Sequence, residues 1–478
     1  MTNEKQQFLV KNKEFQYDSD NIFKNDALDR RIIIENLSNL LWSADQSFVV
    51  SIESSWGTGK TVFVNLWKLY LEKNDTSCIY FNAWENDFYS DPIIPFIGCF
   101  DEFVNKEIKN VDGAGFDQSL EKIKKIGGTL VKKSIPVFVK IASQGLVDLT
   151  NIDTDAIAKE VPGLVAEIAE ESIENFEKKK NEIKILQQNI EKVAKKIIEV
   201  KKKRAPLVFF IDELDRCKPD FAILLLERLK HIFSVEDVVF VLSVDRGQLE
   251  NSVKAIYGNN IEASGYLLRF IDYRFKLPEI KSEINFYRQL FEKYQLKNLF
   301  SERIKSNQNY EINDFEKQFL FMVKFYKLSL REMEKLFTEI NLFIRILPIN
   351  TVFFPSIIFY FLISKLKDGE FFEKIADNRI SVLDFEKHFE KHLNMLVEPN
   401  EKYLLGFLQG MIFKHIENHE NNSSKEKNPI EYFEINNDDK YKFGKFSGYK
   451  YDSNQMFSIK AVIHVYFDTI SLIQEIKI

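Results

Sequence analysis

The chain has 478 residues, 45% hydrophobic and 29% charged, with a formal net charge of −6. That balance excludes a disordered or collagen-like chain and predicts two to four globular domains, each able to bury a core. The acidic balance gives no whole-chain case for nucleic-acid binding. Three cysteines without close pairing (Cys78, Cys99 and Cys217) exclude a disulfide scaffold and predict a reducing, cytoplasmic compartment.

Residues 1–25 read as an N-terminal arm. Their opening Met1-Thr2-Asn3-Glu4-Lys5-Gln6 leads into no apolar core, so no signal peptide is expected. Phe48, Val49, Val50 and Ile52 then form a short β-prone run. A small-residue turn follows, and Val62, Phe63, Leu66, Trp67 and Leu69 give helical spacing beyond it. Between strand and helix lie Ser54, Ser55, Trp56, Gly57, Thr58, Gly59, Lys60, Thr61 and Val62, a phosphate-binding loop in its expected context. Backbone N–H groups from Trp56 to Thr61 are expected to converge on phosphates at the helix N-terminus. Lys60 is placed to reach the β- and γ-phosphates, and the Thr61 hydroxyl to hold Mg²⁺. The pattern asks for glycine where this chain has Ser54; Gly57 and Gly59 supply the permissive positions nearest the lysine.

Cys78 to Asn82 read as a second strand leaving into a polar loop with Trp84. Residues 104–203 read as a helical insertion. Within it Ile183, Leu186, Ile190, Val193, Ile197 and Val200 recur at alternating spacings of three and four, an a/d seam. The other face carries Lys192, Lys195, Lys196, Lys201, Lys202, Lys203 and Arg204. Packing of the seam on its own chain with solvated lysines is one reading. An oligomer contact, or a contact with anionic nucleic acid or lipid, is the other.

Leu207, Val208, Phe209, Phe210 and Ile211 form a continuous apolar run, as in a parallel strand buried on both faces, and end in Asp212 and Glu213. Asp212 is the expected Mg²⁺ partner, directly or through water. Glu213 is placed to orient and deprotonate an attacking water. A third apolar run, 238–244, ends near Ser243, Asp245 and Arg246. Ser243 and Asp245 either contact the γ-phosphate or the lytic water, or form a polar turn that caps the next helix. The fold expected is α/β: a three-layer P-loop sandwich with a mostly parallel sheet, a core of 26–103 and 204–281, and a mainly helical C-terminal region.

Four stretches together resemble the KAP-type P-loop NTPases. They are Trp56-Gly57-Thr58-Gly59-Lys60-Thr61, Phe81-Asn82-Ala83-Trp84, Ile211-Asp212-Glu213-Leu214-Asp215-Arg216-Cys217-Lys218-Pro219 and Val241-Leu242-Ser243-Val244-Asp245-Arg246, with a weaker echo over 266–278. The resemblance implies an ATP-binding fold of the additional-strand type, with ATP and Mg²⁺ as cofactors. It also implies roles in bacterial conflict such as defence against phage, through self-assembly into a homo-oligomer or a companion effector protein. The family usually reads Asp-Asp where this chain has Asp212-Glu213. Many members carry membrane helices between the two Walker motifs. None is expected here, because Lys132, Lys133, Pro136, Lys140 and Asp148 interrupt the most apolar stretch of the insertion.

Residues 282–346 read as a helical lid. Ser329 is a plausible N-cap with Glu332 three residues later, and Arg331 resembles in position the lid arginine that such ATPases point at the γ-phosphate. Arg246, Arg216 and Arg331 are the candidate arginines, alongside one from a neighbouring subunit; the bland reading of Arg331 is a surface arginine. The apolar stretch 352–363 is too short to span a bilayer and reads as a buried helix of the C-terminal region, 347–478. His388 with His392 and His415 with His419 have an i,i+4 spacing that suits either a metal or solvated helix faces. Residues 417–440, rich in Asn, Glu, Lys and Ser, read as a mobile loop.

Overall fold

The computed structural model describes residues 15–44, 46–108, 116–132, 162–232, 234–278, 284–296, 298–299, 312–348, 355–377, 379–380, 466 and 469–470. They fall into two compact units, Tyr17–Glu279 and a second that takes in Ile280–Ile478.

The first unit is built on five strands: β1 (Val49–Glu53), β2 (Thr76–Asn82), β3 (Arg204–Asp212), β4 (Val238–Val244) and β5 (Tyr273–Lys276). They lie in the order β2-β3-β4-β1-β5, and every neighbouring pair is parallel. β4 therefore separates the two motif-bearing strands, as the additional-strand expectation requires. Every residue of β1 and β4 is buried, as is β3 from Leu207 onward. Such uninterrupted apolar runs suit strands covered on both faces.

Alternating side chains show the two covering layers. Phe209 of β3 stacks with Phe96 and Phe100 of α3 (Ile93–Ile108) at ring-centre distances of 5.2 and 5.8 Å, and with Phe240 of β4 at 5.2 Å. Its neighbour Phe210 faces the other way and meets Trp67 of α2 (Lys60–Lys73) edge-on at 5.4 Å. Successive strand residues point to opposite faces, so this pair alone fixes a three-layer sandwich. The phenylalanine richness of the chain is thus spent partly on the seams between sheet and helices. Ahead of the sheet, α1 (Arg31–Trp42) packs against α2. Ile22 is buried, and Phe23 lies 5.9 Å from Tyr70.

Within the insertion, α3 runs on to Ile108 and is followed by α4 (Phe116–Lys132) and α5 (Pro162–Lys201). Leu186, Ile190, Val193 and Ile197 are buried in one core cluster with Phe116, Leu120 and Ile123 of α4, so the described seam packs on its own chain. Val200, the last seam residue, is 41% exposed. Several lysines of the other face have partners: Lys195 with Glu191 and Glu236, Lys201 with Glu107, Lys203 with Asp75, and Lys196 over the Phe116 ring. After β3 come α6 (Pro219–Leu229), α7 (Arg246–Tyr257) and the short α8 (Ala263–Leu267).

The second unit is helical: α9 (Ile284–Lys293), α10 (Ile312–Tyr326), α11 (Leu330–Ile346), α12 (Pro355–Lys367) and α13 (Gly369–Ala376). Tyr287, Phe319 and Phe337 form an aromatic centre with ring distances of 4.9 to 5.8 Å. Ile357 to Ile363 are fully buried, so the described part of the apolar stretch lies in a core helix, as its length predicts. Ser329 and Glu332 form the expected reciprocal cap at the start of α11. No helix among the described residues is long and apolar enough to cross a membrane. The histidine pairs 388/392 and 415/419 and the loop 417–440 lie outside the described residues.

Candidate nucleotide site

The site sits at the carboxyl ends of the strands, where parallel sheets place their ligands. Register sets its floor: Asp212 of β3 stands opposite Ser243 of β4, which stands opposite Ile52 of β1. Beyond β1 the Ser54 amide donates to the Val244 carbonyl at 3.2 Å, and the chain then turns. Gly57 and Gly59 carry φ values of 77° and 86°, left-handed conformations that cost a side chain roughly 1–2 kcal/mol. Ser54 is not in that region, so serine at the expected glycine position adds no backbone strain. Its hydroxyl donates to Thr58 Oγ1 at 2.8 Å, and Thr58 in turn donates to the Ser55 carbonyl.

α2 opens at Lys60 with Gly59 as N-cap and no side-chain cap. Its first helical bond runs from the Phe63 amide to the Gly59 carbonyl, which leaves the amides of Lys60, Thr61 and Val62 without an acceptor in the helix. That is a cradle for an anion. Lys60, 8% exposed, donates to the carbonyls of Ser54 (2.7 Å) and Ser55 (3.2 Å). Burial holds its ammonium below the usual range, while Asp215, Asp245 and Asp212 pull it back up.

Facing the helix end, Thr61 Oγ1 lies 3.5 Å from Glu213 Oε1. Asp212 is 1% exposed; its Oδ1 accepts the Glu213 amide at 2.9 Å and its Oδ2 the Tyr80 hydroxyl at 3.0 Å. Glu213 adopts a left-handed backbone (φ 61°), which swings its carboxylate off the strand line toward the loop. Asn82 Nδ2 donates to Glu213 Oε2 at 3.4 Å, and Arg216 pairs with Oε1 at 2.6 Å. Burial pushes the Glu213 carboxyl above the ordinary range, and the Arg216 charge opposes that shift. A hydroxyl and two carboxylates in one corner are the hard oxygen donors Mg²⁺ takes, and free helix amides beside a buried lysine suit a polyphosphate. The residues present fit Mg²⁺ and a nucleotide triphosphate.

The remaining sequence candidates divide. Asp245 caps α7 by accepting the amides of Gly247 and Gln248 on Oδ1, while its Oδ2 accepts the Trp56 amide at 3.2 Å. The capping reading is therefore observed, and the same side chain also grips the loop. Ser243 is fully buried, with an Oγ that has no hydrogen-bond partner. Arg246 is engaged by Glu250 (2.7 Å), Ser264 Oγ (2.5 Å) and Glu53 (3.4 Å). Arg216 is engaged by Glu213 and lies 5.7 Å from the ring centre of Trp84. Arg331 belongs to the second unit, exposed in the first turn of α11.

The sequence reading gave no role to five residues of the site: Glu53, Tyr80, Asn82, Asp215 and Arg274. Asn82 had a local signal, since its Oδ1 accepts the amides of Trp84 and Glu85 and so turns the chain within the Phe-Asn-Ala-Trp box. The others meet partners more than a hundred residues away, as Tyr80 does Asp212 and Arg274 does Glu53.

A parallel sheet with an added central strand, a glycine-bent loop feeding a helix, and a neighbouring strand ended by carboxylates define a nucleotide-binding P-loop NTPase fold. Residues 30–347 match the KAP family P-loop domain, and the chain belongs to that family. It is also similar to an uncharacterised protein of Methanocaldococcus jannaschii, 28% identical over 182 residues, which is 34% of this chain and 88% of that protein.

Proposed function

We propose that this protein is a Mg²⁺-dependent ATPase that couples its nucleotide state to conformational change or assembly. The observation that carries the reading is the meeting of Thr61, Asp212 and Glu213 at the uncapped N-terminus of α2. In this reading Lys60 leaves the carbonyls of Ser54 and Ser55 for the β- and γ-phosphates. The amides of Gly59, Lys60, Thr61 and Val62 close on the phosphate oxygens. Thr61 and Asp212 would hold Mg²⁺, which when bound would supply positive charge against the transferring phosphoryl group. Glu213 orients the attacking water and accepts its proton, and its raised carboxyl pKa makes it a better proton acceptor than an ordinary glutamate. Arg216 must yield that carboxylate for the step to occur. An arginine other than Arg246 completes the charge balance, because Arg246 is committed to Glu53 and Glu250.

The coupled output fits a homo-oligomer or a companion effector protein in bacterial defence against phage, acting in the cytoplasm. Family resemblance supports that role; no residue chemistry does. The test is phosphate release by wild type, Glu213→Gln and Lys60→Ala, with sizing of each in the presence of ATP. Turnover in wild type that both substitutions abolish, with ATP-dependent assembly retained by Glu213→Gln, is expected. Wild-type turnover no higher than that of Lys60→Ala overturns the enzyme reading.

The Glu213–Arg216 ion pair favours a second reading, a nucleotide-bound switch that hydrolyses little and recruits a partner. That reading expects ATP binding with turnover that stays low until the partner is added.

A further inference from the structure

We propose that Asp215 is a positioning residue that sets nucleotide affinity by holding the phosphate loop through Trp56. Asp215 lies in the single 3₁₀ turn Leu214–Arg216 that follows β3, and is 6% exposed. Its Oδ2 accepts the indole Nε1–H of Trp56, 159 residues earlier in the chain, at 2.5 Å. Burial pushes its carboxyl pKa up, while Lys60, the Trp56 indole and the backbone N–H groups at Asp245 and Asp215 draw it down. A buried carboxylate is costly unless it serves other groups. Two side chains are served. One is the indole; the other is Lys60, whose ammonium is raised by Asp215 more than by any other carboxylate.

Trp56 sits in the phosphate loop with 44% of its surface exposed. Its value lies in its two N–H groups. The indole is tied to Asp215 beyond β3, and the backbone amide to Asp245 beyond β4. The loop is thus strung between the ends of two strands that both lie on one side of β1. Without the Asp215 tie, the stretch from Ser55 to Thr58 keeps only the Trp56 amide bond to Asp245, the Lys60 bond to the Ser55 carbonyl and its own short-range hydroxyl bonds, and the Trp56 side chain is released. An untied loop must order itself when phosphate arrives, and that ordering subtracts from affinity.

The proposal rests on nucleotide binding at this loop and not on hydrolysis. It is tested by calorimetric titration of the full chain with a non-hydrolysable ATP analogue and Mg²⁺. The proteins are wild type, Asp215→Asn, Asp215→Ala, Trp56→Phe and the Asp215→Ala/Trp56→Phe double variant. A hydrogen bond to a charged group is worth about 1.5–3 kcal/mol, so each of Asp215→Ala and Trp56→Phe should weaken binding roughly tenfold to a hundredfold. The double variant should bind no more than about threefold worse than the weaker single, because both lose the same bond. Asp215→Asn keeps an acceptor for the indole and drops the charge. It should bind no worse than about threefold below wild type.

Losses that multiply in the double variant overturn the proposal, as does an Asp215→Asn that binds as poorly as Asp215→Ala. If Asp215→Ala does not fold, Trp56→Phe decides the matter alone, since it removes one donor from a half-exposed ring; unchanged binding there refutes the tie. Lys60→Ala separates the two levels. Its binding like wild type would remove the phosphate loop itself from nucleotide binding, whereas loss there with normal binding by Trp56→Phe removes only the role of Asp215.

Discussion

Replacing Glu53 with glutamine should destabilise the nucleotide-binding unit in a pH-dependent way. Glu53 ends β1 directly ahead of the phosphate loop and is 7% exposed. Arg274 grips it with two hydrogen bonds of 2.8 Å, the Ser51 hydroxyl adds one of 2.9 Å, and Arg246 stands at 3.4 Å. Burial raises its carboxyl pKa. The bonds from Arg274 and Ser51 and the two arginine charges outweigh that, and the net shift is downward. Breaking a buried ion pair by removing one partner costs about 3–5 kcal/mol. Here the Arg274 side chain is 44% exposed, so solvent screens part of its share. Arg246 also keeps Glu250. A cost of about 2–3 kcal/mol remains, which for a unit of this size is about 5–10 °C in Tm.

The sign with pH follows from the depressed folded-state pKa. The stabilisation is fully present above the unfolded value near about 4.3 and is lost as pH falls through the lower folded value. The gap in Tm between wild type and Glu53→Gln should therefore be constant from about pH 7.5 to about pH 5.5 and shrink below about pH 4. Thermal unfolding followed by circular dichroism measures it. A gap under about 1 °C near neutral pH, or one that widens on acidification, refutes the reasoning.

Arg216→Gln removes the charge that holds the Glu213 carboxyl down, so the acid limb of any turnover profile should move to higher pH; a shift downward contradicts the assignment. Gly59→Ala places a side chain at φ 86° and should cost roughly 1–2 kcal/mol in denaturant melts together with loss of ATP binding; an Ala variant that binds normally would show the loop tolerates a different path. Phe209→Ala empties the seam between β3, β4 and α3 and should lower stability by about 3–5 kcal/mol, read as a shift in the denaturant midpoint without a change in m-value. Ser329→Ala breaks the α11 cap and should cost about 1 kcal/mol, while Ser329→Asp restores most of it.

Much of the site was legible in the sequence because its binding chemistry is local. Gly57, Gly59, Lys60 and Thr61 act through contiguous backbone and the first helical turn, so their spacing encodes their geometry. Asp212 and Glu213 were legible because an apolar run ends at them. Their surroundings were not. The Glu213 backbone turns left-handed at the strand end, and nothing in the letters Asp-Glu-Leu-Asp-Arg announces that Arg216 will fold back onto it. Asp245 offered two readings, a phosphate or water contact and a helix cap; the cap is observed, and tertiary contact adds a grip on Trp56 that neither reading contained. The lysine-rich helix likewise read two ways, and the described seam settles on α4 because those apolar side chains find Phe116, Leu120 and Ile123 there.

By itself the sequence determined that a triphosphate-type loop precedes a helix, that two carboxylates close a later strand, and that the boxes occur in KAP order. The tertiary structure alone decided which charges meet. Tyr80 reaches Asp212, Asp215 reaches Trp56 and Arg274 reaches Glu53 across 132, 159 and 221 residues of chain. The physical reason is that a parallel sheet needs long crossovers between neighbouring strands. Residues adjacent at the strand ends are therefore distant in sequence, and the order β2-β3-β4-β1-β5 selects their partners.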